Sequence, residues 1–185
     1  MEPLGDLSRG VEQKPGVLQP AIALAKEAHQ GINGLDGKPL FEHCVRIKDD
    51  PTMVSEAQQL VALLHDASNP RYSTIPLESL FGRMEQIGCT EKVIGAVKCF
   101  VRPPEDVWPY DLWIDYLKRD PLTKDTKIAD SKDALANFPP EREEQRQAWQ
   151  RTLDRLSDDA PEPPETTARI EEAMRRYPLP DLSKL

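Results

Sequence analysis

The sequence has no apolar run approaching the roughly 18 residues that a membrane span needs. Its N-terminal stretch, MEPLGDLSRGVEQKPG, has neither the basic start nor the apolar centre of a secretion signal. The expected setting is therefore the cytoplasm, away from membranes. Cysteine is scarce: Cys44, Cys89 and Cys99 are an odd number without CxxC spacing. That speaks against a disulfide framework or a thiolate zinc site, and reads them as small buried apolar residues. Positive charge is short as well. Lys and Arg number 24 against 32 Asp and Glu, a formal net charge of -8, so nucleic acid is not an expected partner. A phosphate-bearing ligand would have to be held by a local site. Strand-like alternation is missing throughout, which leaves an all-α helical bundle.

Proline, by contrast, is abundant: 18 residues punctuate the chain, mostly where helices would begin or end. Residues 1–18 lack periodicity and read as an arm. A helix is expected from near Pro20 to Gly31, a second from Pro39 to about Lys48, and a third carrying the stripe Val54, Ala57, Leu60, Val61, Leu64 behind a Thr52 cap. Further helices fit LESLFGRMEQ, TEKVIGAVKCFV with Thr90 as cap, YDLWIDYLKR and PLTKDTKIADSKDALANF. These make one domain over 19–138. Residues 139–185 read as a charged helical C-terminal extension, with Trp149, Leu153 and Leu156 on a narrow stripe and a last short helix over Ile170 to Tyr177. Trp108, Tyr110, Trp113 and Tyr116 read as core or groove-lining aromatics.

The chain has only three histidines, His29, His43 and His65, all in its first third. Leu63-Leu64-His65-Asp66 ends a strong apolar stripe with one imidazole and one carboxylate, donors that suit a divalent cation. A plainer alternative is a histidine placed against a helix C-terminus. His43 lies upstream and Asp130 downstream, in Lys127-Ile128-Ala129-Asp130.

The order H…HD…D resembles the HD phosphohydrolase superfamily, and the flanking residues resemble its RelA/SpoT-like (p)ppGpp hydrolases. They read Ala25-Lys26-Glu27-Ala28-His29-Gln30-Gly31, Asp36-Gly37-Lys38-Pro39, Glu42-His43-Cys44-Val45-Arg46 and Asp120-Pro121-Leu122…Lys127-Ile128-Ala129-Asp130. The resemblance spans roughly residues 19 to 137. It implies an HD-domain bundle with His43, His65, Asp66 and Asp130 as metal ligands. Manganese is the implied ion, with zinc, iron and magnesium left open. The implied partner is a small phosphorylated nucleotide, and self-association stays open. His29, Arg46, Lys124, Lys127 and Asn137 are the candidates for touching substrate, although His29 also reads as a packed structural histidine.

Three departures fall where the family does its chemistry. The family's Glu-Asp pair after HD, implied to act on the attacking water, is Asn69-Pro70 here. An Arg-Lys pair in the first loop is Gly34-Leu35, and an Asn after the last metal ligand is Ala134, with Asn137 on the same helical face. Two functions follow from this pattern. One is a phosphohydrolase of weakened activity acting on (p)ppGpp or a related nucleotide. The other is an inactive regulatory protein that keeps the fold and binds metal or nucleotide.

Overall fold

The computed structural model describes residues 16–137, 139 and 141–182. The described part is all-helical: α1 (Leu18–Ala28), α2 (Leu40–Lys48), α3 (Glu56–Leu64), α4 (Leu77–Gln86), α5 (Glu91–Lys98), α6 (Tyr110–Lys118), α7 (Pro121–Asn137), α8 (Glu143–Ser157) and α9 (Pro164–Arg176), with a 3-10 turn at Asp66–Ser68 after α3. The expected arm lies almost wholly outside the described residues. Within those described, no helix is long and apolar enough to cross a membrane.

Helix α3 is the centre of the bundle. Leu60, Val61, Ala62, Leu63 and Leu64 are all fully buried, as expected where the last turn and a half of a helix is apolar on every side. It packs against α1, α2, α5 and α7. Each large side chain removed from water there contributes about 1.5–3 kcal/mol.

The start of α3 differs from the sequence expectation. Its cap is Ser55, not Thr52: the Ser55 hydroxyl accepts from the Gln58 amide at 3.2 Å, and the Gln58 side chain accepts from the Ser55 amide at 3.0 Å. Thr52 instead folds onto Asp50 in the preceding turn. Val54 therefore precedes the helix and is 82% exposed, outside the stripe it was assigned to. Ser55→Ala should cost about 1 kcal/mol, read as a fall of about 2–4 °C in the melting temperature of a chain this size.

Other boundaries follow local chemistry. Thr90 caps α5, its hydroxyl accepting from the Val93 amide. Asp120 caps α7 by accepting from the amides of Leu122 and Thr123, and Pro121 takes the first helical position, where a missing N–H costs nothing. Helix α9 starts at Pro164, earlier than expected, because Pro163 and Pro164 allow an abrupt helix entry.

The C-terminal helices pack on the bundle. Helix α8 lies on α7 and α6, α9 reaches α6, and Leu156, Ile170 and Ala173 join the same core as α3 and α5. The Trp108 indole donates to the Tyr177 carbonyl at 3.0 Å, and the Tyr116 hydroxyl donates to the Pro180 carbonyl. Trp108 and Tyr116 are buried in the core, as are all three cysteines.

Candidate metal centre and cavity

Helices α2, α3 and α7 pack on one another. Where they meet, α2 contributes His43, the end of α3 and its 3-10 turn contribute His65 and Asp66, and α7 contributes Asp130. The four expected metal-site residues come together. His43 Nε2 lies 3.2 Å from Asp130 Oδ1 and 3.6 Å from Asp66 Oδ2. His65 Nε2 lies 3.5 Å from Asp66 Oδ1 and 3.9 Å from Asp130 Oδ1. Ligand atoms of His43, His65 and Asp66 all fall within 4.8 Å of one another. Two donors about 2.1 Å from a shared ion are about 3.0–3.5 Å apart at octahedral to tetrahedral angles, so these spacings are close to the edges of a coordination shell.

The decisive atom is His65 Nε2. The ring's Nδ1–H donates to the Ala62 carbonyl at 2.8 Å, which fixes Nε2 as the bare nitrogen. That atom is buried and has no hydrogen-bond partner. An orphaned buried polar atom costs about 1–3 kcal/mol, and a cation beside it would remove the cost. The donor set of two imidazoles and two carboxylates therefore fits a divalent ion.

Behind the ring of donors, His43 Nδ1–H donates to Asp133 Oδ2 at 2.7 Å, and Arg46 donates to the same carboxylate at 2.7 and 2.9 Å. This orients His43 with Nε2 inward, as outer partners do for metal-binding histidines. Asp133 was not singled out from the sequence. Its signal was present, because Asp130, Asp133 and Asn137 share one face of α7 at helical spacing.

Burial opposes charge on His43, but hydrogen bonds to Asp130 and Asp133 and the charge of Asp66 outweigh it and raise its pKa to about 10. Burial likewise disfavours the Asp130 carboxylate, yet the Lys127 charge and the His43 hydrogen bond hold it well below the usual range. Lys127 donates to Asp130 Oδ2 at 2.6 Å. Without a metal, a protonated His43 thus supplies the cation these carboxylates demand. An ion entering the site must displace that proton, so metal affinity should fall about tenfold for each unit of pH lowered between about pH 9 and pH 7. Calorimetric titration of metal across that range checks the slope.

The donors open into a cavity of about 300 Å³, at the lower end of ligand-sized sites. Of the five candidate substrate contacts, Arg46, Lys127 and Asn137 line it. His29 does not: it is buried, with Nδ1–H donating to the Tyr72 carbonyl at 2.6 Å and Nε2 3.5 Å from the Cys44 thiol, and burial lowers its pKa. Its role is to tie the 3-10 turn region to α1 and α2. Lys124 does not line the cavity either, and points to exposed Asp159 at 3.3 Å. Gly34, Leu35, Asn69 and Ala134 do line it, whereas Pro70 is exposed and turned away. Residues missed from the sequence include Asp36, which accepts from Arg46 at 3.2 Å, and Arg102 and Trp149, which join Phe100, Tyr110 and Trp113 in the wall.

Compared with models of known protein families, the chain matches none, and no curated protein matches it. Among solved structures, a metazoan ortholog of SpoT that hydrolyses ppGpp and plays a role in starvation responses aligns with a TM-score of 0.60 and 19% identity, over 90% of this chain and 98% of that one. The chain has the HD-type fold. At that identity the likeness establishes architecture alone.

Proposed function

We propose that this protein is a metal-dependent phosphohydrolase of a phosphorylated nucleotide, resembling (p)ppGpp pyrophosphohydrolases and slower than they are. The observation that carries this reading is the buried, unpartnered His65 Nε2 facing Asp66 and Asp130 with His43 Nε2 beside them. His43, His65, Asp66 and Asp130 would hold one divalent ion, and manganese is our choice because the resemblance to (p)ppGpp hydrolases implies it, while the mixed nitrogen and oxygen donor set also suits zinc, iron or magnesium. Such an ion would lower the pKa of a water from that of bulk water toward roughly 7 to 9 and draw charge from a phosphate oxygen.

The chain's own residues do the rest. Asp133 keeps the proton on His43 Nδ1, leaving Nε2 free to bind. Lys127 balances the charge of Asp130 inside the buried site. In hydrolysis the water oxygen bonds to phosphorus, the bond from phosphorus to the leaving oxygen breaks, and the water's proton must go to a base. Asn69 lines the cavity at the position where the resemblance implies an acidic residue, and its amide cannot accept a proton near neutral pH. The proton then passes to solvent water and turnover runs without that help, a deficit typically worth about 10² to 10⁴ in rate.

The same Asn69 favours a second reading, a regulatory protein that binds metal and nucleotide without turnover. A panel of nucleotides including ppGpp, offered to the manganese-loaded protein, separates the two. Slow release of phosphate or pyrophosphate, abolished by chelator, is expected. Nucleotide binding without hydrolysis under manganese, zinc, iron or magnesium would leave the regulatory reading in its place.

A further inference from the structure

The loop after α1 brings no cation to the cavity. Position 34 is glycine, and a β-carbon there would stand 3.2 Å from Asp36 Oδ1, which already accepts from the Lys38 amide. Leu35 is apolar. Among the described residues, three permanent cations line the cavity: Arg46, Lys127 and Arg102. Arg46 directs Nε and Nη2 at Asp133 and Asp36, and Lys127 is held by Asp130.

Arg102, on the connection between α5 and α6, is different. Its Nη1 is buried without a hydrogen-bond partner. Its Nη2 meets the largely exposed Glu105 carboxylate only at 4.0 Å. The guanidinium carbon lies 4.8 Å from the ring centroids of both Tyr110 and Trp113, and Lys127 Nζ lies 5.8 Å from the same Trp113 ring. Buried donors are normally paired. A flat cation held against two aromatic rings also keeps its fork of N–H groups in one direction, the geometry that suits phosphate oxygens.

We infer that Arg102 is the phosphate receptor of this cavity, with Nη1–H donating to a non-bridging phosphate oxygen of the bound nucleotide while Tyr110 and Trp113 hold the guanidinium in place. The inference rests on the nucleotide reading above and names the residue that recognises the charged group. It moves phosphate recognition from the first loop, where Gly34 and Leu35 stand, to the α5–α6 connection.

The test compares AMP with adenosine, which differ only in the phosphate. Both are titrated into chelator-treated full-length protein, so that no turnover intervenes, and followed by tryptophan fluorescence from Trp113 and Trp149. The wild type should bind AMP at least tenfold more tightly than adenosine. Arg102→Gln should bring the two within about twofold by weakening AMP alone, and Arg102→Lys, which keeps the charge and loses the fork, should recover only part of the preference. If Arg102→Gln does not fold, Arg102→Lys decides: an AMP-specific loss supports the receptor role, and an unchanged ratio overturns it. A wild type without preference for AMP, or an Arg102→Gln protein that loses both ligands equally, also overturns it. An Arg102-dependent preference without any nucleotide turnover supports this inference while removing the hydrolase reading. Hydrolysis with the same KM in Arg102→Gln removes the inference alone.

Discussion

His65→Ala should abolish both metal binding and nucleotide hydrolysis, and Asp66→Asn should do the same with almost no change in side-chain shape. Partners one bond removed from a metal are typically worth about 10–100-fold in affinity, so losing a direct donor should exceed about 100-fold. His65 is the more informative position because its Nε2 has no partner within the protein. Removing it takes away a donor from the ion without breaking a hydrogen bond at that atom. The effect on folding can be separated from the effect on binding by heating. An ion at about 100 times its Kd stabilises the wild type by about 2.7 kcal/mol, so added manganese should raise the wild-type melting temperature and leave both variants where they are. A variant that still gains stability from manganese and still holds one ion per chain would show that the ion sits elsewhere.

Asn69→Glu should raise the rate of hydrolysis about 100-fold, and Pro70→Asp should not. Position 69 lines the cavity, with a backbone in extended geometry at φ -93° and ψ 117°, which any residue adopts. Glutamate there can take the proton that the attacking water must lose, a contribution of about 10² to 10⁴. Position 70 is exposed, so a carboxylate placed there meets solvent. Asn69 Oδ1 currently accepts from the Arg71 amide at 3.0 Å, a local turn bond that a glutamate in the cavity would give up at small cost. Single-turnover rates with the best nucleotide from the panel read both changes. Equal rates for wild type and Asn69→Glu, with metal still bound, would place the missing step elsewhere than proton transfer.

The convergence of His43, His65, Asp66 and Asp130 could be expected from the sequence because each sits in a short local motif, and their order along the chain carries the rest of the information. Helix starts were legible where the signal is local, as at Thr90. They were misjudged where two polar residues competed: Thr52 and Ser55 are both good caps, and only Ser55 has a glutamine three residues later to complete the reciprocal bond. Asp36 and Arg102 were not legible in the same way. The Asp36–Arg46 bond and the stacking of Arg102 on Tyr110 and Trp113 depend on how the loops after α1 and α5 fold back, which no helical spacing encodes. Lys124 shows the converse. It lies on the same helix as Lys127, yet faces away from the cavity, because α7 has only a weakly defined apolar face and its rotation is set by packing on α8 and α3.

Four side chains, from α2, the end of α3 with its 3-10 turn, and α7, are proposed to share one ion. Anomalous scattering from crystals of the manganese-soaked protein tests it directly. The expected result is a single strong peak about 2.0–2.3 Å from His43 Nε2, His65 Nε2 and carboxylate oxygens of Asp66 and Asp130, with His43 Nδ1 still bonded to Asp133. A peak elsewhere, or none there at saturating manganese while the helices keep their arrangement, would contradict it.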